Sequence, residues 1–318
     1  MRLTIVSTLY NSAPFLEEFH RRTTAAAETL TDDFELMLVN DGSPDNTLEL
    51  AIDLHRRDPR VTIIDLSRNF GHHRAMMAGL GYARGDLVFL IDCDLEEPPE
   101  TLQQFYRRMK DEDCDVVYGI RRNPRDRRAA DISASLFYWL MARTGGIDLP
   151  RNLSTVRLMS QRYVASLVRH QERDVLIAGL WAITGFKQVP VEIAREPSRH
   201  YTNYSIRSRT KLMIDYLTSF SPDLLYNVFY AGIGIFAMSV SSLVYLVMMR
   251  LIWGHPLAGW TSLIASVWMF GGLTVLLIGL VGIYIAHIFN ETKGRPYVIV
   301  REVISSQPEQ TGERNKGD

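Results

Sequence analysis

Two long stretches without charge constrain this chain more than anything else in it. Leu224–Met249 is a run of 26 residues with no Asp, Glu, Lys or Arg, and after Arg250 none appears again until Glu291. Trp260–Phe289 is a second such run. A helix needs roughly 20 apolar residues to cross a ~30 Å hydrocarbon layer. Gly254-His255-Pro256 breaks the helix between the two runs. A buried hairpin inside a soluble core is the alternative, but two adjacent runs of this length point to a pair of transmembrane helices. Both outer flanks are basic, with Arg207, Arg209 and Lys211 before the first run and Lys293, Arg295 and Arg301 after the second, while the connection holds only Arg250 and His255. The positive-inside rule then puts both flanks, and the large N-terminal part, in the cytoplasm, on a multi-pass protein of the cell (inner) membrane. Residues 206–222 carry Met213, Tyr216, Leu217 and Phe220 at helical spacing beside basic residues. That pattern suits a juxtamembrane amphipathic helix, lying in the membrane interface or packed on the domain.

The overall composition, 47% hydrophobic and 22% charged, is therefore an average over a water-soluble and a lipid-soluble part. A net charge of -1 offers no basis for a nucleic-acid partner. Cys93 and Cys114 are too few for a disulfide framework and read as reduced structural thiols. The N-terminal run Met1–Tyr10 soon turns polar and reads as a buried strand, not a signal peptide.

The first half of the chain alternates strand-like and helix-like segments. Strands are expected at Leu3–Leu9, Phe34–Val39, Val61–Leu66, Leu87–Ile91 and Val116–Ile120. Helices are expected from Pro14 to Leu30, Pro44 to Arg57, Arg74 to Ala83 and Pro98 to Met109. This alternation implies βαβ units and a doubly wound α/β sheet, mostly parallel. Such sheets bind ligands beyond the carboxyl ends of their strands. Asp41, Arg68-Asn69 and Asp92–Asp94 all fall at those ends.

Asp92-Cys93-Asp94 carries the strongest chemical signal. Carboxylates at i and i+2 beyond a buried strand can grip one hard divalent cation, Mg²⁺ or Mn²⁺. An ion so held would bridge a diphosphate and stabilise it as a leaving group. Glu96 continues the alternation and Glu97 follows it. The plainer reading is an acidic turn capping the helix that starts at Pro98. Asp41, in the turn Asn40–Thr47, is placed to meet a nucleobase or ribose, and Asp45 to cap the next helix. His72 and His73 either cap the helix that follows them or meet the donor.

These segments resemble the family-2 glycosyltransferases of the GT-A fold, and among them the polyprenyl-phosphate glycosyltransferases. That group includes the dolichyl-phosphate mannose synthases, the bactoprenol glucosyltransferases and the undecaprenyl-phosphate aminoarabinose transferases. The matching stretches are Val39–Ser43, Ser67–His73 with Ala75–Leu80, Asp92–Glu100, Arg157-Leu158-Met159 and the two-run tail. The resemblance implies a catalytic domain over 1–205, the juxtamembrane helix over 206–222, two transmembrane helices over 223–290 and a cytosolic tail over 291–318. Residues 302–318 read as a polar, disordered end of that tail.

The resemblance also implies residue roles. Asp41 would contact the base end of a nucleotide-sugar, Asp92 would lie against that donor, and Asp94 would ligate the metal with Glu96 as a further ligand. Tyr10, Asn11, Arg68, Asn69 and Arg157 would bind substrate. Arg121, Arg127 and Arg128 lie where the family places phosphate-binding arginines, with Arg128 acting in catalysis; a solvated basic loop is the other reading of that stretch. The family's usual Ser-Lys-Tyr is replaced by Thr202-Asn203-Tyr204, and Arg199 or Arg207 would stand in for the missing Lys in binding substrate. The opening motif ends Tyr10-Asn11-Ser12 where the family has Glu last, and Thr155 occupies the place of the aspartate that serves as base in many relatives. A phosphate monoester has a second pKa near 6, so much of such an acceptor is already dianionic at neutral pH. It needs positioning and charge neutralisation more than deprotonation.

The implied activity is inverting transfer of a sugar to a polyprenyl phosphate of undecaprenyl type. A processive polysaccharide synthase of the same fold would need more spans and a Gln-x-x-Arg-Trp motif, and neither is present. An inactive membrane scaffold is opposed by the intact Asp92 and Asp94 pair. Gly271, Gly272, Gly279 and Gly282 suit either a homo-oligomer contact or packing within the hairpin.

Overall fold

The computed structural model describes residues 1–121, 153–170, 177–193 and 259–306, with isolated positions between 230 and 252. In chain order the elements are β1 (Leu3–Leu9), α1 (Leu16–Glu28), β2 (Phe34–Asn40), α2 (Thr47–Arg57), β3 (Val61–Leu66), α3 (His72–Tyr82), β4 (Leu87–Leu90), α4 (Thr101–Glu112), β5 (Val116–Arg121), β6 (Leu153–Ser160), α5 (Gln161–Leu167), α6 (Ile177–Ile183), β7 (Gln188–Ile193), α7 (Trp260–Thr292) and β8 (Val300–Ile304). All eight strands join one sheet in the order β7-β5-β6-β4-β1-β2-β3-β8. Pairing is parallel between β1 and β2, β1 and β4, β2 and β3, and β5 and β7. β6 runs antiparallel between β4 and β5, and β8 runs antiparallel against β3.

Every residue of β1 and β2 is buried, because helices cover both faces of the sheet. One face packs Leu3, Ile5 and Phe89 against Phe19 of α1 and Phe105 of α4. Phe89 meets Phe105 edge-on, with ring centroids 6.3 Å apart. The other face packs Val6, Val39 and Leu90 against Met76 and Leu80 of α3 and Trp181 of α6. Each fully buried Leu or Ile contributes about 1.5–3 kcal/mol. A Cβ at Gly79 would come within 2.6 Å of Val6 Cγ1 and 2.8 Å of Val39 Cγ2. α3 thus approaches β1 and β2 more closely than alanine would allow, which seats its first turn over their carboxyl ends.

The amino-terminal edge is tied down by Asp58, between α2 and β3. It accepts hydrogen bonds from the Arg60 amide at 3.0 Å and the Arg60 guanidinium at 2.9 and 3.0 Å, and pairs with His20 Nε2 at 3.1 Å. Burial alone would raise the Asp58 pKa, but the Arg60 and His20 bonds outweigh it and hold the carboxyl at about 2. A lowered carboxylate pKa stabilises the fold above the ordinary value near 4 and loses that effect as pH falls through about 2. Asp58→Asn is expected to cost about 2 kcal/mol at neutral pH and almost nothing at the acid end of that window. Thermal melts at both pH values check it; an equal loss at both would remove the charge from the explanation.

The five strands and four helices expected in the first half form within a few residues of their predicted limits. The mostly parallel sheet expected from that alternation forms, with β6 and β8 entering in the opposite sense. β7 has an inside–outside burial pattern and carries Pro190, as befits an edge strand. Residues 302–304, expected in a disordered tail, belong instead to β8, and 307–318 lie outside the described residues.

By its contacts the chain divides into two compact units, Met1–Asp131 with Asp148–Asn203 and Arg295–Asp318, and Ile132–Ile147 with Tyr204–Gly294. The first holds the sheet, β8 included. In the second, α7 is a helix of 33 residues. Among the described residues no helix is long and apolar enough to cross a membrane, and no two-helix hairpin is seen. Several α7 side chains and nearly all of 224–249 lie outside that description, so the paired crossing rests on the sequence.

Candidate active site

Four parallel strands end side by side, and their terminal loops are bonded to one another. After β1, the Tyr10 amide donates to Ser12 Oγ at 3.0 Å and the Ser12 amide to Thr47 Oγ1 at 3.0 Å. Asn11 between them has φ +53°. A non-glycine residue holds that conformation only where its surroundings impose it, commonly at functional sites. The imposing contact is Ser43 Oγ, which accepts the Asn11 amide at 2.8 Å. Asp45 accepts from Ser43 Oγ at 2.5 Å and from the Thr47 amide at 3.2 Å, which is the capping role expected of it at the start of α2.

Asp41, only 2% exposed, turns both oxygens onto the loop after β3. Oδ1 accepts the Phe70 amide at 2.7 Å and Oδ2 the Gly71 amide at 3.0 Å. Burial raises its pKa against the pull of those two bonds. Gly42 has φ +60°, and a Cβ there would lie 2.5 Å from the Arg68 carbonyl carbon and the Asn69 nitrogen. The loops after β2 and β3 therefore touch backbone to backbone. Arg68 folds over the Phe70 ring at 4.1 Å and donates to the Asn69 carbonyl at 3.0 Å.

The loop after β4 brings the acids. Asp94 Oδ1 accepts the Glu96 amide at 3.0 Å, and Leu95 between them has φ +59°. Asp94 is pushed up to about 6, first by the protein packed around it and then by repulsion from Asp92, Glu96 and Glu97, with the Glu96 amide opposing. Since Asp94 keeps an exposed surface, hydration weakens the first cause and repulsion is the firmer one. Glu97 is buried and accepts from Ser154 Oγ at 2.7 Å, which ties this loop to β6.

His72, the first residue of α3, joins the groups. Its Nδ1 lies 2.9 Å from Thr8 Oγ1, and its Nε2 lies 3.3 Å from Asp92 Oδ1. Burial disfavours the charged ring, but the Asp92 bond and the charges of Asp92, Asp94 and Asp41 outweigh it and raise the His72 pKa. The ring side chain stays 48% open. Sequence reasoning left His72 between a cap and a donor contact and missed Thr8 and Ser154; the signal available for His72 was its place just ahead of a helix facing two strand ends.

The predicted residues thus fall into three groups. Tyr10, Asn11, Asp41, Arg68, Asn69, Asp92, Asp94 and Glu96 gather at the carboxyl ends of β1 to β4. Arg157 lies elsewhere, inside the sheet on β6. Arg121 ends β5, with its side chain outside the described residues, as are Arg127, Arg128, Arg199 and Arg207 altogether.

Arg157 is 1% exposed, stacks on Trp181 at 3.0 Å, and donates through Nε to the Thr155 carbonyl at 3.3 Å. Among the described residues neither buried terminal nitrogen has a hydrogen-bond partner, and burial lowers its pKa to about 9 against the opposing influence of Tyr163. A buried cation without an anion costs stability. Arg157→Met is therefore expected to leave the protein as stable or up to about 2 kcal/mol more so, read from its melting temperature. A clear loss would show that stacking on Trp181 outweighs the unpaired charge.

Among the described residues no group of three or more His, Cys, Asp or Glu side chains is arranged to hold a metal ion. Asp94 and Glu96, near enough for their charges to repel, are the carboxylates that would hold such an ion. Mg²⁺ is commonly held by one or two carboxylates, with substrate phosphates and waters completing its shell. The mutual repulsion at Asp94 is what such an ion relieves.

Residues 4–166 match the family described as Glycosyl transferase family 2. The chain belongs to that family. This family-2 glycosyltransferase is 47% identical, over 96% of its own length and 89% of the other's, to a Mycobacterium tuberculosis protein provisionally named among the glycosyltransferases. It is 34% identical to the uncharacterised glycosyltransferase YkcC of Bacillus subtilis, over 95% of this chain and 94% of that one. It is 32% identical, over 98% of this chain and 95% of that one, to the undecaprenyl-phosphate 4-deoxy-4-formamido-L-arabinose transferase of Salmonella paratyphi A. Its fold is that of a Pyrobaculum calidifontis mannosyltransferase solved with GDP-mannose and Mn²⁺, at 16% identity and a TM-score of 0.50 over 92% of this chain and 88% of that one. The family-2 enzyme is a glycosyltransferase of the GT-A fold.

Proposed function

We propose that this glycosyltransferase moves a sugar from a nucleotide-diphosphate sugar to a polyprenyl phosphate of undecaprenyl type, at the cytoplasmic face of the cell membrane and with inversion at the anomeric carbon. The observation that carries the reading is the likeness to an undecaprenyl-phosphate transferase along nearly the whole chain, apolar segments included. A membrane setting is further supported by α7, where Leu263, Val267, Ile278, Ile285 and Ile288 each stand more than half exposed.

The strand-end residues suit the chemistry. Tyr10, Asn11 and the Asp41–Asp45 loop offer amides and hydroxyls to a nucleoside, in a shape held by the Asp41 carboxylate. Asp94 and Glu96 would hold Mg²⁺ or Mn²⁺, which when bound supplies charge neutralisation to the departing diphosphate. His72 is held between Thr8 and Asp92 and sets the charge beside the carboxylates. The acceptor phosphate is already largely ionised, so the protein's task is to align it behind the sugar and exclude water. Thr155, which cannot act as a base, is consistent with that division of labour.

The test is direct. Purified protein is incubated with undecaprenyl phosphate, Mg²⁺ or Mn²⁺ and a panel of UDP-, GDP- and dTDP-sugars, and the lipid product is weighed. A glycosylated lipid phosphate is expected from one donor, formed only with the metal. Transfer to a soluble acceptor, with none to lipid, would sink the acceptor assignment.

A further inference from the structure

The strand that closes the sheet edge is linked to the loops at its active end. β8 pairs with β3 so that Glu302 lies opposite Asp65 and Val300 opposite Leu66, with a register shift between the two pairs. Arg301 is thus the extra residue of a bulge, a device that re-aims a side chain. Its Nη1 lies 3.1 Å from Asp65 Oδ2, and its Nη2 donates to the Ser67 carbonyl at 2.9 Å. The Asp65 side chain is only 5% exposed. Its other oxygen accepts from Asn40 Nδ2 at 2.8 Å. That bond decides which way the Asn40 amide faces, and its Oδ1 accepts the Ser43 amide at 3.3 Å. Ser43 Oγ then holds the Asn11 amide, at the residue whose φ is +53°.

We propose that Arg301 is a positioning residue for the nucleotide-sugar donor: through Asp65 and Asn40 it keeps the loops after β1 and β2 in the shape that receives the nucleoside end. The inference rests on reading those strand ends as the donor site. Arg301 touches no donor itself. Its charge fixes one oxygen of a buried carboxylate, which leaves the other to orient Asn40. Without that charge Asn40 is free to turn, and both Ser43 and Asn11 lose the contact that sets them. The segment following α7 in the chain therefore acts on the opposite end of the sequence, at the donor loops.

The experiment uses full-length protein carrying Arg301→Gln, Asn40→Ala or both. Amide hydrogen exchange over 10–12 and 40–47 needs no ligand and is read first. Each single variant is expected to speed exchange there several-fold, and the double variant to add nothing, because both changes break one chain of bonds. UDP and GDP are then titrated by calorimetry, and donor KM is measured. Whichever nucleotide the wild type binds should bind about tenfold more weakly in each single variant, with kcat unchanged. Arg301→Lys keeps the charge but not the second bond to Ser67, and should fall between; it also carries the comparison if Arg301→Gln does not fold. Unchanged exchange, or additive effects in the double variant, overturns the linkage. Loosened loops with unaltered nucleotide binding overturn its role toward the donor. A wild type that binds neither nucleotide would instead count against the proposed function, and exchange would still decide the linkage.

Discussion

Asp94→Ala is expected to cut sugar transfer about a thousandfold without unfolding the protein. A divalent ion supplies several kcal/mol of stabilisation to charge developing on a leaving group, and about 4 kcal/mol corresponds to a factor of about a thousand. Asp94 stands beyond β4 with one oxygen bonded to the Glu96 amide, which leaves acceptor capacity for a cation. The fold does not need this carboxylate. Its pKa is pushed up to about 6, so the folded chain holds its proton more tightly than the unfolded chain does. A raised carboxyl pKa lowers stability as pH rises from about 4 through about 6, the opposite of the Asp58 case. Removing the group near neutral pH removes repulsion toward Asp92, Glu96 and Glu97. The variant should therefore melt at or above the wild-type temperature without metal, and only the wild type should gain from added Mn²⁺. Wild-type transfer by the variant in membranes, or a metal-induced shift that survives the substitution, would take Asp94 out of the metal site.

Asp41→Ala should have the largest effect on stability, a loss of about 3 kcal/mol. The substitution leaves the Phe70 and Gly71 amides without their acceptor, one buried and one partly so. An unsatisfied buried donor costs about 1–3 kcal/mol. Asp41→Asn should recover little, because a carboxamide offers one acceptor oxygen and turns an NH₂ group toward the second amide. The loss should also reach the site, since Asp41 seats the turn that opens α3 and α3 presents His72 to Asp92. Unfolding in detergent measures the first effect and donor KM the second. A loss well under 1 kcal/mol for Asp41→Ala would mean that water replaces the carboxylate.

Much of the fold is legible in the sequence because the signals are local. Leu3–Leu9 and Val61–Leu66 read as strands from their apolar, β-branched runs, and form at those limits. The turn signal after β2 and the acids after β4 mark strand ends, and the parallel sheet collects those ends at one edge. For that reason eight of the predicted site residues come together. β8 was not legible, because its polar residues match an exposed edge strand as well as a tail. His72 was undecided because nothing near it names Asp92 as its partner.

The chain's own order of residues determined the alternating strands and helices, the acidic turn at the end of β4 and the two uncharged segments, since each depends on neighbours a few positions apart. Tertiary structure alone decided that β6 runs against β4 and brings Ser154 to Glu97, and that Asp41 clamps the start of α3. It alone brought Arg301 back, 234 residues along the chain, onto Ser67. Those contacts follow from strand order and from one bulge, and strand order is chosen by the packing of the whole sheet, which no short stretch of sequence contains.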